Sequence, residues 1–188
     1  MGCWGITAFE SDAGLDAVGF VRERLPENGR LELGKMLEAL RQDNWNTPPD
    51  TFRADSHTSP MALAEIVVNF MDGNAGIMDY DEAWAAKDKK FSSVSAFTAS
   101  REDVRWLRDY LCDTLKYAVR NAEEGRKWNG WFQKKDWTSW QNHMATLIGR
   151  LDGVLSADGN SLVLFSKAAQ ESAMEAKQAP DGPGMTMG

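Results

Sequence analysis

Two histidines, His57 and His143, are the general bases this 188-residue chain offers to a serine or cysteine nucleophile. Such a nucleophile needs an imidazole held within hydrogen-bond reach. His57 sits in a loop-forming run that includes Asn46-Thr-Pro-Pro-Asp and His57-Thr-Ser-Pro. His143 falls one place before Met144, on the flank of the stripe begun by Trp140. No Gly-x-Ser-x-Gly elbow accompanies either one, and both read as polar surface histidines. Cys3 and Cys112 do not make a disulfide framework in a chain this long, so free, buried thiols are expected.

Oxygen ligands for a cation are no better organised. Asp72-Gly-Asn-Ala-Gly opens like a calcium loop, but Ile77 stands where a glycine is required and Ala83 where a glutamate belongs. Asp79-x-Asp81-Glu82 clusters carboxylates, yet acids that open a helix are equally expected from its dipole. Neither a dinucleotide glycine motif nor a phosphate-binding loop lysine is present. The sequence therefore assigns no catalytic residue, no metal and no cofactor.

Tryptophan usage is the unusual chemistry. Eight occur, and Trp128, Trp131, Trp137 and Trp140 fall in one stretch with Phe132, interleaved with Arg126, Lys127, Lys134 and Lys135. Aromatic and basic residues in alternation can stack single-stranded bases. A formal charge of −7 and a pI near 4.9 argue against direct nucleic-acid binding, which needs a basic stripe. Tryptophan also supplies buried area plus one donor, which suits a core or a protein-binding hot spot. Trp128, Trp131, Phe132 and Trp137 are the candidate partner-binding patch.

The elements that position these residues read as helices. A first helix starts at Ser11-Asp12, carries Ala17, Val18, Val21 and Leu25, and stops at Pro26 and Gly29. A second covers about Leu31 to Asp43, with Leu33, Met36, Leu37 and Leu40 on its stripe. Ser59-Pro60 opens a third, apolar on most sides, which Gly73 ends. Its polar residues Glu65, Asn69 and Asp72 share one narrow face. A short helix is expected from Asp79 to Lys89. Ser100-Arg-Glu-Asp caps a further helix through Val104, Leu107, Leu111, Leu115 and Val119, and Trp140, Met144, Leu147, Leu151 and Leu155 mark the next. Ser156 to Ser161 either turns a short hairpin from Val154-Leu155 to Leu162–Phe165, or Ser161 caps a last helix. The expected fold is an all-α bundle of about six helices in one domain, 1–178, with a flexible tail at 179–188. Apolar runs are too short to cross a bilayer and the start lacks a signal peptide, so a cytoplasmic protein is expected.

The opening residues carry a resemblance. Met1-Gly2, Trp4-Gly5, Phe9-Glu10 and Asp12, followed by Leu15-Asp16, resemble a bacterial family catalogued as domain of unknown function 4259. Its members open with Met-Gly-x-Trp-Gly, then Phe-Glu-Asn-Asp; here Ser11 replaces the asparagine and Cys3 stands where a small residue is usual. Ala62-Leu-Ala-Glu-Ile-Val-Val is similar to the family's alanine-rich helix. The resemblance covers about half the chain and leaves the Trp128–Trp140 stretch as this chain's own. It implies kinship without an activity; relatives of this kind occur near toxin or mobile-element genes, which implies an inhibitor or immunity role by association.

Physically, Trp4 and Phe9 are expected to clamp the bundle, with Gly5 allowing close approach and Asp12 capping the first helix. Glu10, Asp12 and Asp16 would sit at that helix's positive end. Glu10 and Asp16 are also candidate partner-binding residues. The function these features favour is an acidic, helical, non-enzymatic interaction module that binds and blocks a protein with a basic surface. The alternatives are a small hydrolase using the N-terminal carboxylates with a metal, and a structural subunit of an assembly.

Overall fold

Ser11 turns its hydroxyl onto the open amide of Gly14 at 3.1 Å and so starts α1 (Asp12–Glu23). Asp12 is the first helical residue and not the cap; the serine side chain satisfies a first-turn donor that the helix itself cannot. The computed structural model describes residues 2–51, 58–80, 87–126 and 133–178. The candidate residues His57, Asp81, Glu82, Trp128, Trp131 and Phe132, and the expected tail at 179–188, lie outside them.

Four more helices follow the expected stripes closely. They are α2 (Leu33–Gln42), α3 (Thr58–Met71), α4 (Arg101–Glu123) and α5 (Trp137–Leu155). Gly73 ends α3 at φ 72°, a left-handed geometry that costs glycine little, and Asn74 N–H closes back to Asn69 O at 2.8 Å. Ser100 caps α4 by accepting from Asp103 N–H at 3.0 Å and donating to its carboxylate at 2.6 Å.

Three strands correct the all-α expectation: the fold is mostly helical, with a small mixed sheet. In order β1-β2-β3, β1 (Arg30–Glu32) pairs parallel to β2 (Ala96–Ser100), and β2 pairs antiparallel to β3 (Ser161–Ser166). Leu31 and Glu32, which open the expected second helix, lie in β1 instead; a three-residue strand offers too little alternation to oppose the helical period that follows it. β2 buries Phe97 and Ala99 on one face, a weak signal because alanine is a poor strand former. β3 does turn back after Ser156–Asn160, but its partner is β2 and not Val154-Leu155, which finish α5. Arg101 braces that turn, donating to the carbonyls of Leu155, Ala157 and Gly159. Both expectations for this region hold in part, since α6 (Lys167–Gln178) follows the strand directly. Most of the helix expected from Asp79 to Lys89 lies outside the described residues; on either side of that span are 3-10 turns at Ala75–Met78 and Phe91–Ser93, and the Asp79 carboxylate accepts from the amides of Phe91 and Ser92.

The core forms around α3, whose residues are buried from Thr58 to Val67 and again at Phe70. α1, α4, α5 and β3 all pack against it. Phe70 joins helix to sheet, its ring 5.2 Å from Phe97, 5.3 Å from Phe165 and 6.2 Å from Phe91. A helix surrounded in this way must be apolar almost all round, as its sequence is. Among the described residues no helix is long and apolar enough to cross a membrane.

Candidate functional site

Residues 2–12 close on themselves. Asp12 N–H donates to Gly2 O and Trp4 N–H to Glu10 O, each at 3.0 Å, with a bridge between Cys3 and Ser11. The Asp12 carboxylate accepts from Gly2 N–H at 2.5 Å, so this acid fastens the start of the chain to α1. Glu10 curls over the tip of the loop and accepts from the amides of Ile6 (2.9 Å) and Thr7 (3.0 Å) and from the Thr7 hydroxyl (3.0 Å). The Thr7 amide, aided by these other donors, holds the Glu10 carboxyl below the ordinary glutamate range. Gly5 makes the fit: a Cβ there would stand 2.1 Å from the Glu10 carboxyl carbon.

Beneath the loop lies a carboxylate buried in the core. Glu65 of α3 is 4 % exposed, and its Oε1 accepts from Ala8 N–H at 2.8 Å while Oε2 faces Phe9 N–H at 3.4 Å. The same Oε1 lies 2.7 Å from His143 Nε2 on α5. Burial pushes the Glu65 carboxyl up, against the pull of His143 and the two amides. One side chain thus joins the loop, α3 and α5. Further along, Arg150 donates to Asp72 at 2.5 Å, so Glu65 and Asp72, the residue just past the end of α3, meet His143 and Arg150, also seven apart, on α5. α1 crosses the Ala8–Glu10 turn as closely, since a Cβ on Gly14 would lie 1.8 Å from Ala8 O.

The structure separates the expected clamp into two roles. Phe9 packs against the core, but Trp4 is 54 % exposed and its indole is presented outward. The hydrogen-bonded loop holds the Trp4 backbone through its N–H on Glu10 O, so the fold does not require the ring to be buried. Asp16 is exposed on α1. Trp137 is half-buried and stacks on the core residue Trp140, ring centroids 5.4 Å apart. The Cys3 thiol, raised by burial, also feels Glu10 and Asp136, so the Trp4 loop lies beside the start of α5. Both cysteines are free thiols, each half-buried.

One half-buried and one buried polar residue have partners that residue type alone does not reveal. His143 is not a surface histidine but the partner of Glu65; the available signal was a glutamate on a helix otherwise apolar. Arg22, a charged residue of α1, is 1 % exposed and donates to the carbonyls of Lys89 (2.6 Å) and Tyr80 (2.5 Å). Among the described residues no group of three or more histidine, cysteine or acidic side chains is placed to hold a metal ion.

The loop, Glu65 and His143 fall within a single family match. The model for a domain of unknown function (DUF4259) matches residues 2–143. The chain belongs to this family. The DUF4259 match runs beyond the half of the chain suggested by the opening motif and takes in the Trp128–Trp140 stretch. No curated protein and no solved structure matches the chain significantly.

Proposed function

We propose that this DUF4259 protein is an acidic protein-interaction module that uses the Trp4 face to bind and block a protein with a basic surface, in the manner of an inhibitor or immunity protein of the bacterial cytoplasm. The carrying observation is that Trp4 is 54 % exposed while its backbone is hydrogen-bonded into a closed loop. A large aromatic ring on a fixed backbone loses little freedom on binding, which is what a hot-spot anchor requires. Asp16 and Asp136 lie on the elements next to the loop, and the chain's charge of −7 favours approach of a basic partner. Nucleic-acid-handling enzymes have such surfaces.

The test is affinity capture from the source cells with wild type and Trp4→Ala, followed by binding of the purified captured protein over a range of salt. The expected result is a stoichiometric partner, lost with Trp4→Ala and weakened by salt. Absence of any stoichiometric partner, or equal capture by both forms, overturns the proposal. A metal-dependent hydrolase is less favoured because the Glu10 and Asp12 carboxylates already accept from backbone amides. One observation favours a subunit of an assembly: Trp45 is 93 % exposed on the loop after α2. Light scattering that gives a defined oligomer, dispersed by Trp45→Ser, would support that reading instead.

A further inference from the structure

At the far end of α1 from the Trp4 loop, roughly 18 Å along the helix, the chain folds around a recess of about 110 Å³ that opens to solvent. We propose that this recess binds a small carboxylate with an aromatic or branched-alkyl body. Its floor is apolar, made by Phe20 and Val21 of α1, Leu31 of β1 and Met36 of α2. Its mouth carries Arg24, Arg30 and Lys35 against one carboxylate, Glu32. An excess of cations around an apolar hollow is unexpected in a chain of net charge −7.

The three cations differ in how far they are committed. Lys35 pairs with Glu32 at 2.5 Å. Arg24 lies over the Phe20 ring, 3.4 Å from its centroid, and donates to Phe20 O. The Arg30 side chain is exposed and makes no hydrogen bond or ion pair among the described residues, while its backbone N–H is taken by Asn28. A free guanidinium offers a planar fork that fits a carboxylate through two hydrogen bonds. With the floor accepting the hydrocarbon part and Arg30 the charge, ligand polarity matches the site at both ends. Pockets for small ligands commonly have this make-up, an apolar lining with a few placed polar groups.

Titration of the full chain with phenylacetate, phenylacetamide, acetate and inorganic phosphate, read by amide NMR, tests the site. Phenylacetate should give saturable shifts centred on Leu31, Met36 and Ala39. The neutral amide and the two small anions should bind at least ~5-fold more weakly, since each lacks one half of the match. Arg30→Gln should abolish the preference for phenylacetate over phenylacetamide without changing the melting temperature. Ala39→Trp should fill the recess and remove the shifts; if it melts early, Arg30→Gln at its exposed position still decides. Equal binding of the acid and the amide, equal binding of phosphate, shifts centred elsewhere, or no saturation overturns the proposal.

Discussion

Glu65 Oε1 and His143 Nε2 stand 2.7 Å apart on neighbouring helices, and the same oxygen accepts the Ala8 amide at 2.8 Å. The geometry makes Glu65 the anchor on which the opening loop is built. Removing this buried acceptor leaves the Ala8 and Phe9 amides and the His143 ring nitrogen without their partner. Glu65→Ala should therefore cost about 3 kcal/mol or more. His143→Ala should cost less, since the two amides keep their acceptor. Because both act through one interaction, the double variant should be less destabilised than the sum of the single ones, as measured by urea unfolding.

Glycine-to-alanine changes in this region should be severe in one case and local in the other. Gly14→Ala places a Cβ 1.8 Å from the Ala8 carbonyl oxygen, a backbone atom that cannot rotate away. A loss of about 3 kcal/mol or more is expected, since backbone must shift. Gly5→Ala instead meets the Glu10 carboxylate, the end of a side chain. It should expel Glu10 and speed hydrogen exchange at Ile6 and Thr7, with melting lowered far less than by Gly14→Ala.

Trp4→Ala and Trp140→Ala separate surface from core. Trp140 is 1 % exposed, and its truncation should cost about 3–5 kcal/mol. Trp4 is mostly outside the core, so its removal should cost about 1 kcal/mol and leave the protein folded. Chemical denaturation of the two variants checks this; a Trp4→Ala protein that fails to fold would restore the clamp.

The acid limb of stability should carry a signature of Glu10. Its folded carboxyl is lowered from the ordinary 4.5, so its stabilising contribution is full above that value and is lost as pH falls through the lowered one. Glu65, raised from 4.5 by burial, acts in the opposite sense: its contribution is present below 4.5 and is lost as pH rises through the raised value. Melting of wild type and Glu10→Gln should therefore differ at neutral pH and converge as the pH is lowered below the ordinary glutamate range.

The residues themselves determined much of this protein. Helical period along Val104 to Val119 and Trp140 to Leu155 set α4 and α5, and Ser100 and Gly73 marked ends correctly, because caps and stripes are properties of a few neighbouring positions. The opening motif identified the family for the same reason: its residues are contiguous. Tertiary structure alone decided the sheet, since β1 and β2 are too short to show alternation and exist only because Leu31 and Phe97 pair across distant chain segments. It also decided what Glu65 and His143 are. A charge on an apolar helix and a histidine on a flank have no meaning singly; packing of α3 against α5 buries Glu65, partly covers His143 and makes each the other's partner. Tertiary structure also left Trp4 mostly outside the core: hydrogen bonds to Glu10, Asp12 and Glu65 close the loop around it, and its ring stays 54 % exposed.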